Sequence, residues 1–263
     1  MAWPERIICM TEETVETLYL LGEEDRIAGI SGFTVRPPRA RKEKPKVSAF
    51  TSAKIPKILD LKPDLVLGFS DLQADIAAEL IRQGVEVYIL NHRTVAGILQ
   101  MIRTLGRLVD AAEKADELAK TYEQKIADLK SLAAQKKDKP RVYFEEWYDP
   151  IISGIGWVSE LIEIAGGVDC YKENAQHQGG KERIVADPLE VVAKQPDIII
   201  GSWCGRRFHP HKVGERDGWS NVPAVRNNQV FEIKSANILQ PGPAALSDGL
   251  DQLHQIISAW VKT

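Results

Sequence analysis

The chain has 263 residues, 44% of them hydrophobic and 27% charged, enough for one large domain or two ordinary ones. A formal charge of −3 supplies no overall attraction to nucleic acid, and no apolar stretch approaches the roughly 20 residues that span a bilayer. Three cysteines, Cys9, Cys170 and Cys204, make neither a disulfide framework nor a zinc motif. The opening MAWPERIICMTEE lacks the basic start, apolar core and small-residue cleavage site of an export signal. Residence inside the cell and a leader trimmed ahead of this Met-Ala start both fit, so the compartment stays open.

In chain order, Arg6-Ile7-Ile8-Cys9-Met10 reads as a strand with Cys9 buried in it. An amphipathic helix from Val15 to Gly22 follows, with Val15, Leu18 and Leu21 on one face. The basic run from Arg36 to Lys46 (RPPRARKEKPK) is broken by prolines and has no interleaved aromatics. It reads as a solvated loop rather than a phosphate-binding strip. Next, Ile58 to Ser70 reads ILDLKPDLVLGFS: a helix end, Pro-Asp, an apolar run, then glycine and an aromatic. Pro63 stops the helix, and Leu65-Val66-Leu67 lacks the alternation of a half-exposed strand, as suits a parallel strand covered on both faces. Gly68 is expected to let the backbone turn out of the strand end.

From Val95 to Lys137 the chain has no proline and no turn cluster. Ile98, Leu99, Ile102, Leu105, Leu108 and Val109 have helical spacing, with Gly106 marking a break or a close contact. Ala111 to Ala134 is rich in helix formers and carries one stripe through Ala115, Leu118, Ala119, Tyr122, Ile126, Leu129 and Leu132. As a helix it reaches roughly 36 Å. A rod of that kind packed on two halves resists bending, so small lobe movements are expected on ligand binding.

The second half repeats the first. Arg141-Val142-Tyr143-Phe144 opens it as a strand, and Trp157 to Gly166 forms an amphipathic helix through Val158, Leu161, Ile162 and Ala165. Val191 to Trp203 reads VVAKQPDIIIGSW, matching Pro63 with Pro196, Asp64 with Asp197 and Gly68 with Gly201. Duplication and shared physics both produce such a match, and either leaves two α/β lobes. The expected fold is α/β: two Rossmann-like lobes with parallel sheets, joined by a long backbone helix. The boundaries are residues 1–110 for the first lobe, 111–137 for the helix and 138–263 for the second lobe. QVFEIK reads as the last strand. A loop, Lys234 to Pro243, then leads to a terminal helix from Leu246 to Val261, and this loop is either a rigid ligand-contacting segment carrying Asn237 and Gln240 or a plain connection.

Open parallel sheets hold ligands beyond the carboxyl ends of their strands. Those ends are Thr11-Glu12-Glu13, Ser31-Gly32-Phe33 and Phe69-Ser70-Asp71 in the first half. In the second they are Glu145-Glu146-Trp147-Tyr148, Ser202-Trp203-Cys204-Gly205 and Ser235-Ala236-Asn237. Only 7% of the chain is aromatic, yet Phe33, Phe69, Trp147, Tyr148 and Trp203 all fall there. Rings gathered at a cleft suit a large, flat, partly apolar ligand lodged between the lobes. Catalysis has less support. Glu145 and Glu146 are strand neighbours and point to opposite faces. No GxSxG, P-loop or GxGxxG is present, and Gly154-Ile155-Gly156 lacks a third glycine. Cys204 stands where a nucleophile would, with no nameable base beyond His209 and His211 in RRFHPHK, and that histidine pair lacks a third metal ligand.

The order of strand, ETVETLYLLG helix, RIAGIS, RPPRA, KPKVSAF, ILDLKPDLVLG, long helix and second α/β lobe resembles the cobalamin-binding substrate-binding proteins of ABC importers. Their helical-backbone fold, the class III substrate-binding-protein fold, is shared with haem, siderophore and metal binders. The resemblance covers nearly the whole chain. It implies a corrinoid (cobalamin or cobinamide) ligand held without catalysis, with no cofactor and no metal ligation by the protein. Phe50 and Phe69 stand where the family places tryptophans against the corrin, and Arg36 stands where it has a tyrosine. Trp147, Tyr148, Trp203 and Cys204 fall in segments facing the ligand, and Phe33, Ser70 and Asn237 complete the expected binding set. A permease partner is implied as well, docked through a glutamate on each lobe. Here those positions hold Pro56 and Leu189, with Glu190 adjacent, so ABC-type uptake and intracellular trafficking both remain readings. The alternatives are a haem or iron-siderophore binder, using Tyr148 or His209 on iron, and a thiol enzyme using Cys204.

Overall fold

The computed structural model describes residues 3–261. It divides into two compact units: the chain through His92 with Ala96–Tyr122, and Arg93–Val95 with the chain from Glu123 onward.

In the first unit the elements run β1 (Ile7–Cys9), α1 (Glu12–Leu21), β2 (Ile27–Ser31), α2 (Ala40–Glu43), β3 (Lys46–Ser48), α3 (Ile55–Asp60), β4 (Leu65–Phe69), α4 (Ala74–Arg82) and β5 (Val87–Leu90). The sheet order is β3-β2-β1-β4-β5, parallel throughout. Ile8, Met10, Val47, Ile58, Val66 and Leu80 form a buried core cluster beside it. Helices on both faces of a parallel sheet account for the unalternating apolar strands. Gly22 closes α1 at φ 74°, in the left-handed conformation that glycine adopts without a Cβ penalty. The basic segment is not a plain solvated loop: it carries α2, and its end forms β3 on the sheet edge. Arg41 anchors it by donating to the carbonyls of Gly32 and Thr34 at 2.8 Å each.

The stretch from Val95 is two helices, α5 (Val95–Leu108) and α6 (Ala112–Ala134). The break comes at Asp110, φ 62°, and not at Gly106. A Cβ on Gly106 would lie 2.2 Å from that of Ala115, so this glycine is where the two helices touch. Residues of α6 through Tyr122 belong to the first unit and those from Glu123 to the second.

The second unit contains β6 (Arg141–Tyr148), β7 (Ile151–Ser153), α7 (Gly156–Ile164), β8 (Val168–Asp169), α8 (Pro188–Lys194) and β9 (Ile198–Gly201). These are followed by α9 (Pro210–Val213), α10 (Pro223–Arg226), β10 (Val230–Glu232) and α11 (Ser235–Ile238). The expected terminal helix opens as a π-helical stretch, Ala245–Gly249, before α12 (Leu250–Ala259). Strand order is β10-β9-β6-β7, with β8 pairing the start of β6 in parallel. The parallel β10-β9-β6-β8 core matches β5-β4-β1-β2 of the first unit. The antiparallel β7 is an addition: β6 runs four residues beyond the expected Phe144 and turns at Asp149-Pro150 into a hairpin.

The recurrent Pro-Asp has a structural cause. Asp64 accepts from the backbone N–H of Arg6 at 3.0 Å, and Arg6 Nε donates to the Leu61 carbonyl at 2.8 Å. Asp197 accepts from the backbone N–H of Arg141 at 2.8 Å, and Arg141 Nη1 donates to the Lys194 carbonyl at 3.1 Å. In each unit an Arg-Asp clasp ties the first strand to the helix end that feeds its neighbour. Each motif therefore spends two residue types on satisfying exposed backbone groups at a strand start.

Neither motif glycine turns the chain by a positive φ. A Cβ on Gly68 would fall 2.6 Å from Gln73 Oε1, and one on Gly201 would fall 2.1 Å from the Phe208 ring. Both are close-approach glycines. The residue with positive φ at the end of β4 is Ser70, at φ 68°.

Candidate functional site

In the first unit Gln73 is the organiser, a residue the sequence reading passed over. Its buried amide accepts from the backbone N–H of Phe69 at 3.0 Å and donates to the Phe50 carbonyl at 2.8 Å. Phe50 is half-buried, while Phe69 is only 6% exposed and meets His92 edge to face with ring centres 5.4 Å apart. Ser70 is buried, with its hydroxyl accepting from the Leu72 N–H at 3.3 Å. Phe33 is 66% exposed. The structure thus fastens Phe50 and Phe69 to one side chain and leaves Phe33 projecting.

Thr11, Glu12 and Glu13, expected to line a cleft, are buried at the start of α1. Burial pushes the carboxyls of Glu12 and Glu13 up to about 7 each. Glu12 Oε2 accepts from the backbone N–H groups of Val35 and Arg36, and Glu16 Oε1 accepts from Arg36 Nε at 2.8 Å. Arg36 is therefore clamped to α1 through both its backbone and its side chain. Tyrosine chemistry is absent at this position, and a fixed cation stands there.

In the second unit the hairpin brings three of the expected rings together. Tyr148 and Trp203 lie with centres 4.4 Å apart and planes 31° apart; Trp147 is 5.4 Å from Tyr148 and 6.3 Å from Trp203. All three are half-buried. Phe208 supports Trp203 edge to face at 5.2 Å, which its seat on Gly201 makes room for. Trp203 Nε1 donates to Glu145 Oε1 at 3.2 Å. Glu145 is fully buried and also accepts from the Tyr143 hydroxyl at 3.0 Å and from both Arg216 Nη atoms, at 2.6 and 2.9 Å. On the other face of β6, Glu146 accepts from Arg183 at 2.5 and 3.2 Å. The two glutamates point to opposite faces, as strand alternation requires, and each is matched to an arginine rather than to a bond to be cleaved. Burial and the nearby Glu145 carboxylate push the Tyr143 hydroxyl well above its ordinary value.

Cys204 is exposed beside Trp203, and Asn237 is half-buried on α11. His209 and His211 face one another at 5.7 Å. Among the described residues no three His, Cys, Asp or Glu side chains gather as a metal-binding group. An open groove of about 660 Å³, which the sequence did not signal, lies against the hairpin turn between Tyr148, Pro150, Ile151, Ile184 and Leu189. Leu189 is half exposed on its edge, with Glu190 exposed next to it. No helix among the described residues is long and apolar enough to cross a membrane.

A model of the family described as periplasmic binding protein matches residues 7–236. Over 247 residues the chain is 27% identical to the vitamin B12-binding protein of Vibrio parahaemolyticus, covering 92% of this chain and 86% of the relative. Over 260 residues it is 26% identical to the ABC transporter substrate-binding lipoprotein YvrC of Bacillus subtilis, covering 97% and 80%. Among solved structures, the periplasmic vitamin B12 binding protein BtuF of Vibrio cholerae aligns with a TM-score of 0.78 at 25% identity, over 97% of both chains. The haem complex of IsdE from S. aureus aligns at 0.80 with 19% identity, over 98% and 99% of the two chains, a likeness of fold alone.

Proposed function

Because this chain belongs to the periplasmic binding protein family, whose similar members are substrate-binding proteins of transport systems, we propose that it is a solute-binding protein for a corrinoid, cobalamin or cobinamide. The observation that carries this reading is the Trp147–Tyr148–Trp203 cluster, set at the carboxyl ends of β6 and β9. Rings held by packing and by the buried Glu145 are ordered before the ligand arrives, so little side-chain entropy is lost on stacking. The names of the vitamin B12-binding relatives point to a corrinoid as the large macrocycle that such rings suit. Phe33, Arg36, Phe50, Phe69 and Ser70 from the first unit, and Cys204 and Asn237 from the second, are the further residues assigned to the ligand.

The protein supplies shape, stacking and hydrogen bonds in this role, and no bond-making step. Its destination is ABC-type uptake through a permease or delivery inside a cell. Pro56 and Leu189 lack the carboxylates with which the family is expected to dock, and exposed Glu190 is the nearest acid to one of them.

The test is calorimetry with cobalamin and cobinamide on freshly purified protein, together with its visible spectrum. Micromolar or tighter binding, or a co-purified corrinoid absorbance, supports the proposal. Absence of heat and of any thermal shift with both corrinoids sinks it. A Soret band lost on Tyr148→Phe or His209→Ala would turn the assignment to haem.

A further inference from the structure

Arg206 follows Trp203 by three residues on the exposed loop between β9 and α9. Its guanidinium carbon lies 5.7 Å from the Trp147 ring centre and 5.9 Å from that of Tyr148, and Nη1 donates to the Tyr148 hydroxyl at 2.5 Å. Among the described residues no carboxylate lies within ion-pair distance of it. The contrast within the same unit is sharp: Arg183 is neutralised by Glu146 and Arg216 by Glu145. Both of those pairs build the hairpin. Arg206 instead rests on two rings of the proposed binding surface, with the basic residues Arg207 and Lys212 close by in sequence.

A cation over an exposed ring gains little, and a neutral phenol is a weak partner for a full charge. An incoming oxyanion offers the planar fork of an arginine two parallel charge-assisted hydrogen bonds, which are roughly twice as strong as neutral ones. Turning toward such a group costs Arg206 little, and leaves the Tyr148 hydroxyl free for a polar substituent of the same ligand.

We propose that Arg206 is the specificity-determining residue of this aromatic site, selecting a macrocycle that carries an oxyanion by pairing with that group above the Trp147 and Tyr148 rings. The choice of ligand rests on the corrinoid reading above: the phosphodiester of a complete cobalamin supplies the anion, and cobinamide, which ends before it, does not. The carboxylates of a haem have the same chemistry and form the second arm of the test.

Affinities for cobalamin and cobinamide are measured by calorimetry in the native protein, Arg206→Gln and Arg206→Lys, at low and high salt. The native protein should prefer cobalamin by about five-fold or more, as expected of one partly exposed charge-assisted contact. Arg206→Gln should weaken cobalamin more than cobinamide, cutting that preference to about two-fold or less, and Arg206→Lys should recover part of it. Added salt should reduce cobalamin binding only where residue 206 is charged. Equal affinity for the two corrinoids in the native protein, or an equal loss for both in Arg206→Gln, overturns the role of Arg206 and leaves the corrinoid reading intact. Haem binding without corrinoid binding, favoured over haem dimethyl ester only when Arg206 is present, overturns the corrinoid reading and leaves Arg206 in its role. Failure of every macrocycle to bind overturns both.

Discussion

The indole N–H of Trp203 donates to a carboxylate, Glu145, that lies fully buried 58 residues earlier in the chain, and the same carboxylate holds Arg216 through two hydrogen bonds. One side chain thus joins the strand that carries Trp147 and Tyr148 to the loop that carries Trp203. The orientation of a ring meant to meet a ligand is decided beneath the surface, by charge.

Glu145→Gln should therefore disturb both stability and binding. The substitution leaves the Arg216 guanidinium without its counter-charge, a loss of about 3–5 kcal/mol for a fully buried pair. Arg216 keeps a quarter of its side chain exposed, so about 2–3 kcal/mol is expected here. Urea denaturation measures it. Glu145→Gln combined with Arg216→Met should lose less than Glu145→Gln alone, and corrinoid affinity should fall in both. A single variant within about 0.5 kcal/mol of the native protein would mean that the pair does not organise the hairpin.

Trp203 and Phe69 call for different probes. Trp203 is half-buried, and Trp203→Ala should weaken corrinoid binding by about 1–3 kcal/mol if its face meets the ligand. Phe69 is nearly sealed, so Phe69→Ala should cost about 3–5 kcal/mol of stability first and confuse any binding measurement. Phe69→Leu keeps most of the volume and should cost less than about 1.5 kcal/mol while removing the ring. Intrinsic fluorescence titration with cobalamin reads both. Native affinity in Trp203→Ala and Phe69→Leu alike would dismiss the stacking assignment.

Acid titration should reveal the buried carboxyls of α1. Burial raises Glu12 and Glu13 from 4.5 to about 7, so the folded chain keeps protons there that the unfolded chain gives up. Their contribution to stability is complete below about 4.5, declines as pH climbs, and is gone above about 7. Glu13→Gln removes one of the two groups and should flatten that decline, measured as the urea midpoint at half-unit pH steps. Parallel curves for the native protein and Glu13→Gln would exclude the assignment. Because Glu12 accepts from the Val35 and Arg36 N–H groups, the segment from Phe33 to Arg36 should respond in the same pH window.

The paired lobes were legible because their causes are local. Pro-Asp, an apolar triplet and a preceding helix recur in register, and the Arg6–Asp64 and Arg141–Asp197 clasps show that the repeated letters do the same physical work. What escaped were features set by distant partners. Glu145 meets Arg216 across 71 residues, and Gln73 reaches Phe50 across 23. No periodicity announces such bonds. The β6–β7 hairpin was hidden for a related reason: Glu145-Glu146-Trp147-Tyr148 reads only as the carboxyl end of a strand, and the distant Arg183 and Arg216 neutralise its acids where the strand runs on to Tyr148 and turns back. The acidic start of α1 misled in the same way, since its glutamates are buried rather than lining.

Gly201 supplies the last prediction and separates two meanings of a strand-end glycine. Had it served to turn the chain, alanine would strain the backbone; its φ is not in the left-handed region, and the obstacle is the Phe208 ring. Gly201→Ala should drive that ring off its seat and cost about 1–3 kcal/mol. Since Phe208 abuts Trp203, the near-ultraviolet dichroism of the tryptophan cluster should change with it, and corrinoid affinity should drop. Phe208→Leu makes room at position 201, so Gly201→Ala should be better tolerated in that background than in the native one, a coupling read from the double-mutant cycle. Additive losses would show that the glycine and the ring act independently, and that the support beneath Trp203 lies elsewhere.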